Sequence, residues 1–249
     1  MIITGAASGI GRAVAETLLK DGWYIGLFDL STQPLKEIQD TWGEENCSVH
    51  IVSVSDSETL GKEFKSFVNK AGKLDVLFNC AGVLQAAHFE DISLERHYQI
   101  LDVNNKGVLN CCYQALPYLK QNKQSRVINM SSASSMYGVP GLATYSASKA
   151  WIKSFTESLN IEWARHDIHV LAIEPPFVNT QMINSYNIRV MEKMGVNLSA
   201  QDLALAVKKS LTSKKTHIRV SLSYKIQCFL SAISISPIKK LAMRYLTGY

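Results

Sequence analysis

Long apolar runs are missing from this sequence, and with them one class of protein. No segment among the 249 residues reaches the about 20 predominantly apolar residues that a membrane-spanning helix needs. No secretory leader is expected from these residues either: Met1-Ile2-Ile3 leads directly into Thr4-Gly5, with no basic stretch and no long apolar one. A cytoplasmic setting is the expectation. Cysteine usage agrees with it. Cys47, Cys80, Cys111, Cys112 and Cys228 form no CxxC pair, are odd in number, and include adjacent Cys111 and Cys112, which cannot easily bridge within a helix. They read as small buried hydrophobes. The six histidines fall in no metal-ligand spacing, so neither a structural nor a catalytic metal is expected. Internal repeats, low-complexity tracts and Pro/Gly linkers are also lacking, so nothing divides the chain.

Acid is missing from one end. All 21 acidic residues lie at or before Asp202, whereas nine Lys/Arg and no acid follow it. The first 202 residues therefore carry −4 and the last 47 carry +9. Such a split points to an anionic partner for the tail. No nucleic-acid recognition motif accompanies the charge, which argues against nucleic acid.

What is present is an alternation of short β-rich runs and helical patterns. Strands are expected at Met1–Ile3, Tyr24–Phe28, Val49–Val52, Leu74–Phe78, Val127–Asn129, Ile168–Ile173 and His217–Val220. Helices are expected at Arg12–Lys20, Leu35–Thr41, Ser57–Ala71, Thr144–Arg165 and Ala200–Leu211, the last with Ser199 as N-cap and Asp202 in its first turn. Alternation of this kind builds a parallel sheet covered by helices on both faces. Val76-Leu77-Phe78 and Val170-Leu171-Ala172-Ile173 supply the continuous apolar runs that doubly covered strands need. With hydrophobic content at 47% and charged content at 19%, one α/β domain is expected. The first strand is short for a central one, which leaves open a native start upstream of Met1.

The turn after that strand, Thr4-Gly5-Ala6-Ala7-Ser8-Gly9-Ile10-Gly11, precedes a helix. Glycines at 5, 9 and 11 remove the Cβ atoms that would hold a pyrophosphate away from the backbone N–H groups. The helix N-terminus adds free donors and a positive dipole end. Asp29 follows the second strand, where a dinucleotide-binding (Rossmann) fold sets a carboxylate against ribose hydroxyls. Leu30 and Ser31 flank it without a cation, and Ser8 stands where a basic residue would meet a 2′-phosphate. Both features favour NAD over NADP.

Tyr145 and Lys149 lie four residues apart, on one helix face. A phenol, with an ordinary pKa of about 10, is a poor base at neutral pH, and an ammonium beside it is expected to lower that value. About one such Tyr–Lys spacing would arise by chance in a chain of this composition. Company makes it specific: Ser132 follows the strand Val127–Asn129 and offers a hydroxyl to a substrate carbonyl. Ser131 is adjacent, so the choice between the two rests on spacing.

Together, Thr4–Gly11, Asn79-Cys80-Ala81-Gly82, Asp102-Val103-Asn104-Asn105-Lys106-Gly107, Asn129-Met130-Ser131-Ser132 and Tyr145-Ser146-Ala147-Ser148-Lys149 resemble the short-chain dehydrogenases/reductases, from about residue 1 to 221. The resemblance implies Tyr145 as general acid/base and Lys149 as the residue that holds the nicotinamide ribose and lowers the Tyr145 pKa. It implies Ser132 as the group orienting the substrate oxygen and Asn104 as the anchor of a relay water. It implies cofactor contacts at Gly5, Ser8, Gly9, Ile10 and Gly11, at Asp29, Leu30 and Val54, at Asn79, Ala81 and Gly82, and at Tyr145, Lys149, Pro175, Val178 and Thr180, the last at the carboxamide. The sequence departs from the family pattern in three places. Cys80 replaces an asparagine, Pro175-Pro176 replaces Pro-Gly, and Ser53 stands where an aspartate often meets the adenine amine.

Residues 181–197 follow as an expected lid, with Met182, Ile183, Tyr186, Met191 and Met194. Such a segment adapts to irregular apolar shapes. With Met136 and Tyr137 it suggests a pocket for an apolar alcohol or ketone; packing of the lid onto the body is the other reading. Residues 1–221 thus form the dinucleotide-binding and catalytic domain, and 222–249 an extension. In that extension Ile238, Leu241, Ala242, Tyr245 and Leu246 share one helical face, with Lys239, Lys240 and Arg244 mainly on the other. Two readings stay open for this helix: packing on the body or a subunit, and contact with a membrane surface. The expected function is hydride transfer between NAD(H) and a small-molecule hydroxyl/carbonyl pair. The alternatives are a catalytically silent NAD(H)-binding regulator and an isomerase or dehydratase. The helices after Asp102 and over Thr144–Arg165, with Trp151, Phe155 and Leu159, are expected to pair copies into a homodimer or homotetramer.

Overall fold

Strand-forming residues alternate their side chains between two cores. The computed structural model describes residues 1–184, 186, 193 and 196–248. Its main sheet holds β1 (Ile2–Thr4), β2 (Ile25–Asp29), β3 (Cys47–Ile51), β4 (Val76–Asn79), β5 (Ser125–Met130), β6 (Ile168–Glu174) and β9 (His217–Arg219), in the order β3-β2-β1-β4-β5-β6-β9. Every pairing is parallel. Two-residue strands β7 (Val178–Asn179) and β8 (Leu198–Ser199) pair separately. This is the doubly wound Rossmann arrangement, with the strand order reversing between β1 and β4.

One face of the sheet carries α1 (Gly9–Lys20), α2 (Thr32–Trp42) and α8 (Ala200–Ser210); Leu18, Leu35 and Leu203 meet Ile3, Leu27 and Leu171 there. The other carries α3 (Ser57–Ala71), α5 (Gly107–Leu119) and α6 (Ala143–Trp163); Phe64, Ala115 and Ile152 meet Ile2, Phe28 and Val127. Neighbouring strand residues such as Ile2 and Ile3 thus feed opposite cores, as the two-residue period requires. Helix α8 starts in a capping box: Asp202 N donates to Ser199 Oγ at 3.2 Å, and Ser199 N donates to Asp202 Oδ2 at 2.9 Å.

Expected and observed strands differ by a residue or two. Helix α4 (Leu94–Leu101) runs through a single π-turn, Asp102–Lys106, into α5. Of the three residues expected on an association face, Trp151 is exposed. Leu159 is buried and Phe155 packs on the inner core, because α6 spends most of its apolar positions on the sheet. Residue 222 onward forms α9 (Leu222–Ile233) and α10 (Ser236–Thr247).

Candidate active site

All main-sheet strands point their carboxyl ends the same way, and a cavity of about 420 Å³ opens there across the β1/β4 reversal. Its first wall is the turn from β1 to α1. The three glycines serve this turn differently. Gly5 has φ +70°, and a Cβ on it would sit 2.9 Å from Ala81 Cα and N. A Cβ on Gly11 would run into the carbonyl oxygen of Gly5. These two are demanded by the chain's own packing. Gly9 has φ +52° and meets only Thr180, whose Cγ2 would lie 3.6 Å from such a Cβ. Gly9 is thus the glycine whose missing side chain leaves the cavity open. Ser8 precedes α1 without a side-chain cap.

Asp29 closes β2. Its Oδ1 accepts from Leu30 N at 2.7 Å and Ser31 N at 3.1 Å, and its Oδ2 accepts from Ala7 N at 3.1 Å. The carboxylate therefore ties the strand end to the glycine turn and still lines the cavity. Arg12, on α1, is engaged by Glu16 at 2.9 Å and Glu37 at 3.5 Å and does not line the cavity. Val54 and Leu30 line the same end, as do Phe28, Val52 and Ser53. Thr4 Oγ1 accepts from Cys80 N at 3.0 Å and Ala81 N at 3.1 Å, which holds the Cys80-Ala81-Gly82 turn against the cavity. Burial pushes the Cys80 thiol up to about 12, so it stays protonated.

Asn79 does not reach the cavity. Its side chain is buried and donates to Asn129 Oδ1 at 2.8 Å, linking β4 to β5. Asn104, in the π-turn, is also away from the wall. Its Oδ1 accepts from Val83 N at 2.8 Å, and its Nδ2 donates to Val83 O at 3.0 Å and Ser148 Oγ at 3.1 Å. It clamps the turn after β4 to α6.

At the other end, β5 delivers Ser131 and Ser132. Ser131 Oγ is buried and donates to Lys149 O at 3.1 Å. Ser132 lines the cavity together with Tyr145; its Oγ accepts from Ser134 N at 3.2 Å, and its hydroxyl acts on Tyr145 in the pKa-lowering direction. Helix α6 brings Lys149 alongside, its Nζ 5.6 Å from the Tyr145 ring centre and donating to Met130 O at 2.8 Å. Burial pushes Tyr145 up to about 12 against the lowering effect of Ser132, and burial pulls Lys149 down to about 8. The net shift at Tyr145 is upward, where the ammonium was expected to bring it down. Desolvation outweighs any ammonium effect, and Ser132 is the group that acts in the lowering direction.

Pro175, Pro176, Val178 and Thr180 continue the wall into α7 (Gln181–Asn184). Around Tyr145 the lining is apolar, from Leu84, Met136, Tyr137, Val139, Phe177 and Met182. Met191 and Met194 of the expected lid lie outside the described residues. The tail supplies the rest: Tyr224 and Gln227 from α9, Met243 and Leu246 from α10. Sequence reasoning had Leu246 on a stripe that could pack on the body and missed the other three. Of the expected α10 stripe only Leu246 packs inward; Ile238, Leu241 and Tyr245 are exposed, because Met243 rather than the stripe centre faces the body. The i, i+3 pair Met243/Leu246 was the available signal.

A family model described as short chain dehydrogenase matches residues 1–190. The chain belongs to the short-chain dehydrogenase/reductase family. An uncharacterized oxidoreductase of Staphylococcus epidermidis is 32% identical over 222 residues, covering 88% of this chain and 93% of that one. The oxidoreductase UcpA of Escherichia coli is 34% identical over 186 residues, covering 74% and 71%. Among solved structures, a 3-ketoacyl-(acyl-carrier-protein) reductase from Brucella melitensis complexed with NADH superposes with a TM-score of 0.79 at 26% identity, over 88% of this chain and 93% of that one. A family member from Burkholderia phymatum in complex with NAD superposes with a TM-score of 0.83 at 23% identity, over 92% and 91%. As a short-chain dehydrogenase/reductase this protein is an oxidoreductase of a family whose structural neighbours bind nicotinamide dinucleotides.

Proposed function

We propose that this chain transfers a hydride between NAD(H) and the hydroxyl or carbonyl carbon of an apolar alcohol or ketone. The observation that carries the reading is that Ser132, Tyr145 and Lys149, with Lys149 Nζ 5.6 Å from the Tyr145 ring centre, line one cavity that also includes the glycine turn.

The residues fit the cofactor. The open position at Gly9 admits a pyrophosphate against the first turn of α1. Asp29, with no cation beside it, suits ribose hydroxyls and repels a 2′-phosphate. Among the described residues Lys149 is the one cation lining the cavity, and it sits with Tyr145. That supports NAD over NADP. Val54, Ala81 and Gly82 would flank the adenosine half; Pro175, Val178 and Thr180 would hold the nicotinamide end. When bound, the cofactor supplies or accepts the hydride.

The chain's own groups handle the proton. In reduction Ser132 and Tyr145 direct their hydroxyls at the carbonyl oxygen, and Tyr145 gives its proton to that oxygen. In oxidation Tyr145 takes the proton from the alcohol. Lys149, charged below about pH 8, stabilises the phenolate left by reduction. Asn104 acts at one remove, fixing Val83 and α6. The apolar lining around Tyr145 excludes water and selects the substrate class. In the family setting, exposed Leu109 and Tyr113 on α5 and Trp151 and Ile161 on α6 provide a face for pairing copies.

The test is a panel of apolar ketones and alcohols followed by NADH absorbance, with wild type beside Tyr145→Phe. Turnover of at least one apolar pair, lost in the variant, is expected. Equal turnover by the variant would overturn the assignment.

A further inference from the structure

The two tail helices have a second side. On α9, Tyr224 is 2% exposed and turned into the body, whereas Leu222, Ile226, Phe229, Leu230 and Ile233 are 51–72% exposed. These five fall at i, i+4, i+7, i+8 and i+11, one helical stripe directed away from the protein. On α10, Met243 and Leu246 pack against the body while Ile238, Leu241 and Tyr245 stay open to solvent, 56–71% exposed. Ile235, between the helices, is 64% exposed. An amphipathic helix on a soluble body normally buries its apolar stripe; these two helices turn theirs outward.

We propose that α9 and α10 rest on an anionic lipid surface. The charge supports this occupant: beyond Asp202 the chain has nine basic residues and no acid. Lys225 is exposed beside the α9 stripe and Lys240 is exposed on α10 around the helix from its stripe, where they meet headgroups while the stripes enter the interface. Each helix has 12 residues and is therefore about 18 Å long, too short to cross a hydrocarbon core of about 30 Å. Each lies in the plane. No helix among the described residues is long and apolar enough to cross a membrane. A second copy is a poorer occupant, because joining two tails would set the +4 of residues 222–249 against another +4. The contact does not depend on the reaction assigned to the cavity.

The test is flotation of the full chain with vesicles of phosphatidylcholine alone or with phosphatidylglycerol added. Wild type should float with the anionic vesicles at low salt, release at high salt, and stay behind with neutral vesicles. Phe229→Asp with Ile233→Asp should abolish flotation while leaving NADH binding and the circular dichroism spectrum unchanged. Lys225→Glu with Lys240→Glu should reduce flotation several-fold. Absence of flotation by the folded wild type would overturn the proposal. So would flotation that ignores salt and the stripe substitutions. Larger particles in light scattering that the stripe substitutions dissociate, without flotation, would make a second copy the occupant and likewise overturn it. An acidic protein partner would show as vesicle-independent capture, again without flotation.

Discussion

The phenol hydroxyl of Tyr224 donates to Glu174 Oε2 across 3.3 Å, joining α9 to the last residue of β6. Glu174 is buried, with His217 Nδ1 at 2.7 Å from Oε1, Arg219 Nε at 3.5 Å from Oε2, and Lys153 adding a more distant positive charge. Burial alone would raise its pKa; His217, Lys153 and Arg219 together hold it below the ordinary carboxylate value. The sign follows. A lowered folded-state pKa stabilises above the unfolded value, and that stability is lost as pH falls through the folded one. Melting temperature should drop on acidification, and Glu174→Gln should flatten the drop. Tyr224→Phe should lower Tm by roughly 2–5 °C, the scale of one hydrogen bond in a chain of this size. Differential scanning calorimetry checks both. An unchanged acid slope in Glu174→Gln would remove Glu174 from the account.

Tyr145→Phe keeps the ring and removes the proton carrier. A kcat loss of at least ~10²-fold is expected, the scale of general acid–base catalysis. NADH affinity, read by fluorescence titration, should barely change.

Lys149 loses its charge as pH rises through about 8, while Tyr145, at about 12, stays protonated. The reductive rate should therefore fall above pH ~8, although the proton donor is still in place. Lys149→Arg should push that limb upward or remove it, since guanidinium keeps its charge. A reductive pH profile flat to pH 10 in wild type would contradict the role given to Lys149.

Asp29→Ala removes the acceptor of three backbone N–H groups, those of Ala7, Leu30 and Ser31. Wild type should show a larger kcat/KM with NAD than with NADP. The variant should narrow that ratio by roughly 10-fold or more, the scale of a charge-assisted hydrogen bond. Steady-state kinetics with both cofactors decides it; a wild-type preference for NADP would refute the cofactor argument.

Static light scattering should give a multiple of 27.7 kDa at micromolar protein. Tyr113→Glu with Ile161→Glu, on the exposed sides of α5 and α6, should lower it.

The sheet was legible because buried parallel strands must be apolar, and Val76-Leu77-Phe78 or Val170-Leu171-Ala172-Ile173 have no other use. The site was legible where chemistry restricts the residue. Gly9 needs a positive φ, and a Tyr–Lys pair four apart on α6 lands on one face. Asn79 was not legible in this way. An amide suits a cavity wall and an interstrand bridge equally, and only the position of Asn129 on β5 decides. The Tyr145 pKa turned on desolvation, which depends on everything around the ring and not on the spacing to Lys149. The tail stripe misled because periodicity identifies a face without saying which way it points. Met243, outside the stripe, touches the body together with Leu246, at the stripe's end.

The reversal of strand order between β1 and β4 has a further consequence. Residues 5–54 bring the glycine turn and Asp29 to one end of the cavity; residues 130–182 bring Ser132, Tyr145, Lys149 and Met182 to the other. On the proposed function, the choice of dinucleotide and the choice of alcohol are encoded in separate stretches of chain that meet only in space. A chimaera that exchanges residues 130–182 together with the tail helices for a relative's would inherit that relative's substrate and keep its own coenzyme, so the two specificities can drift independently.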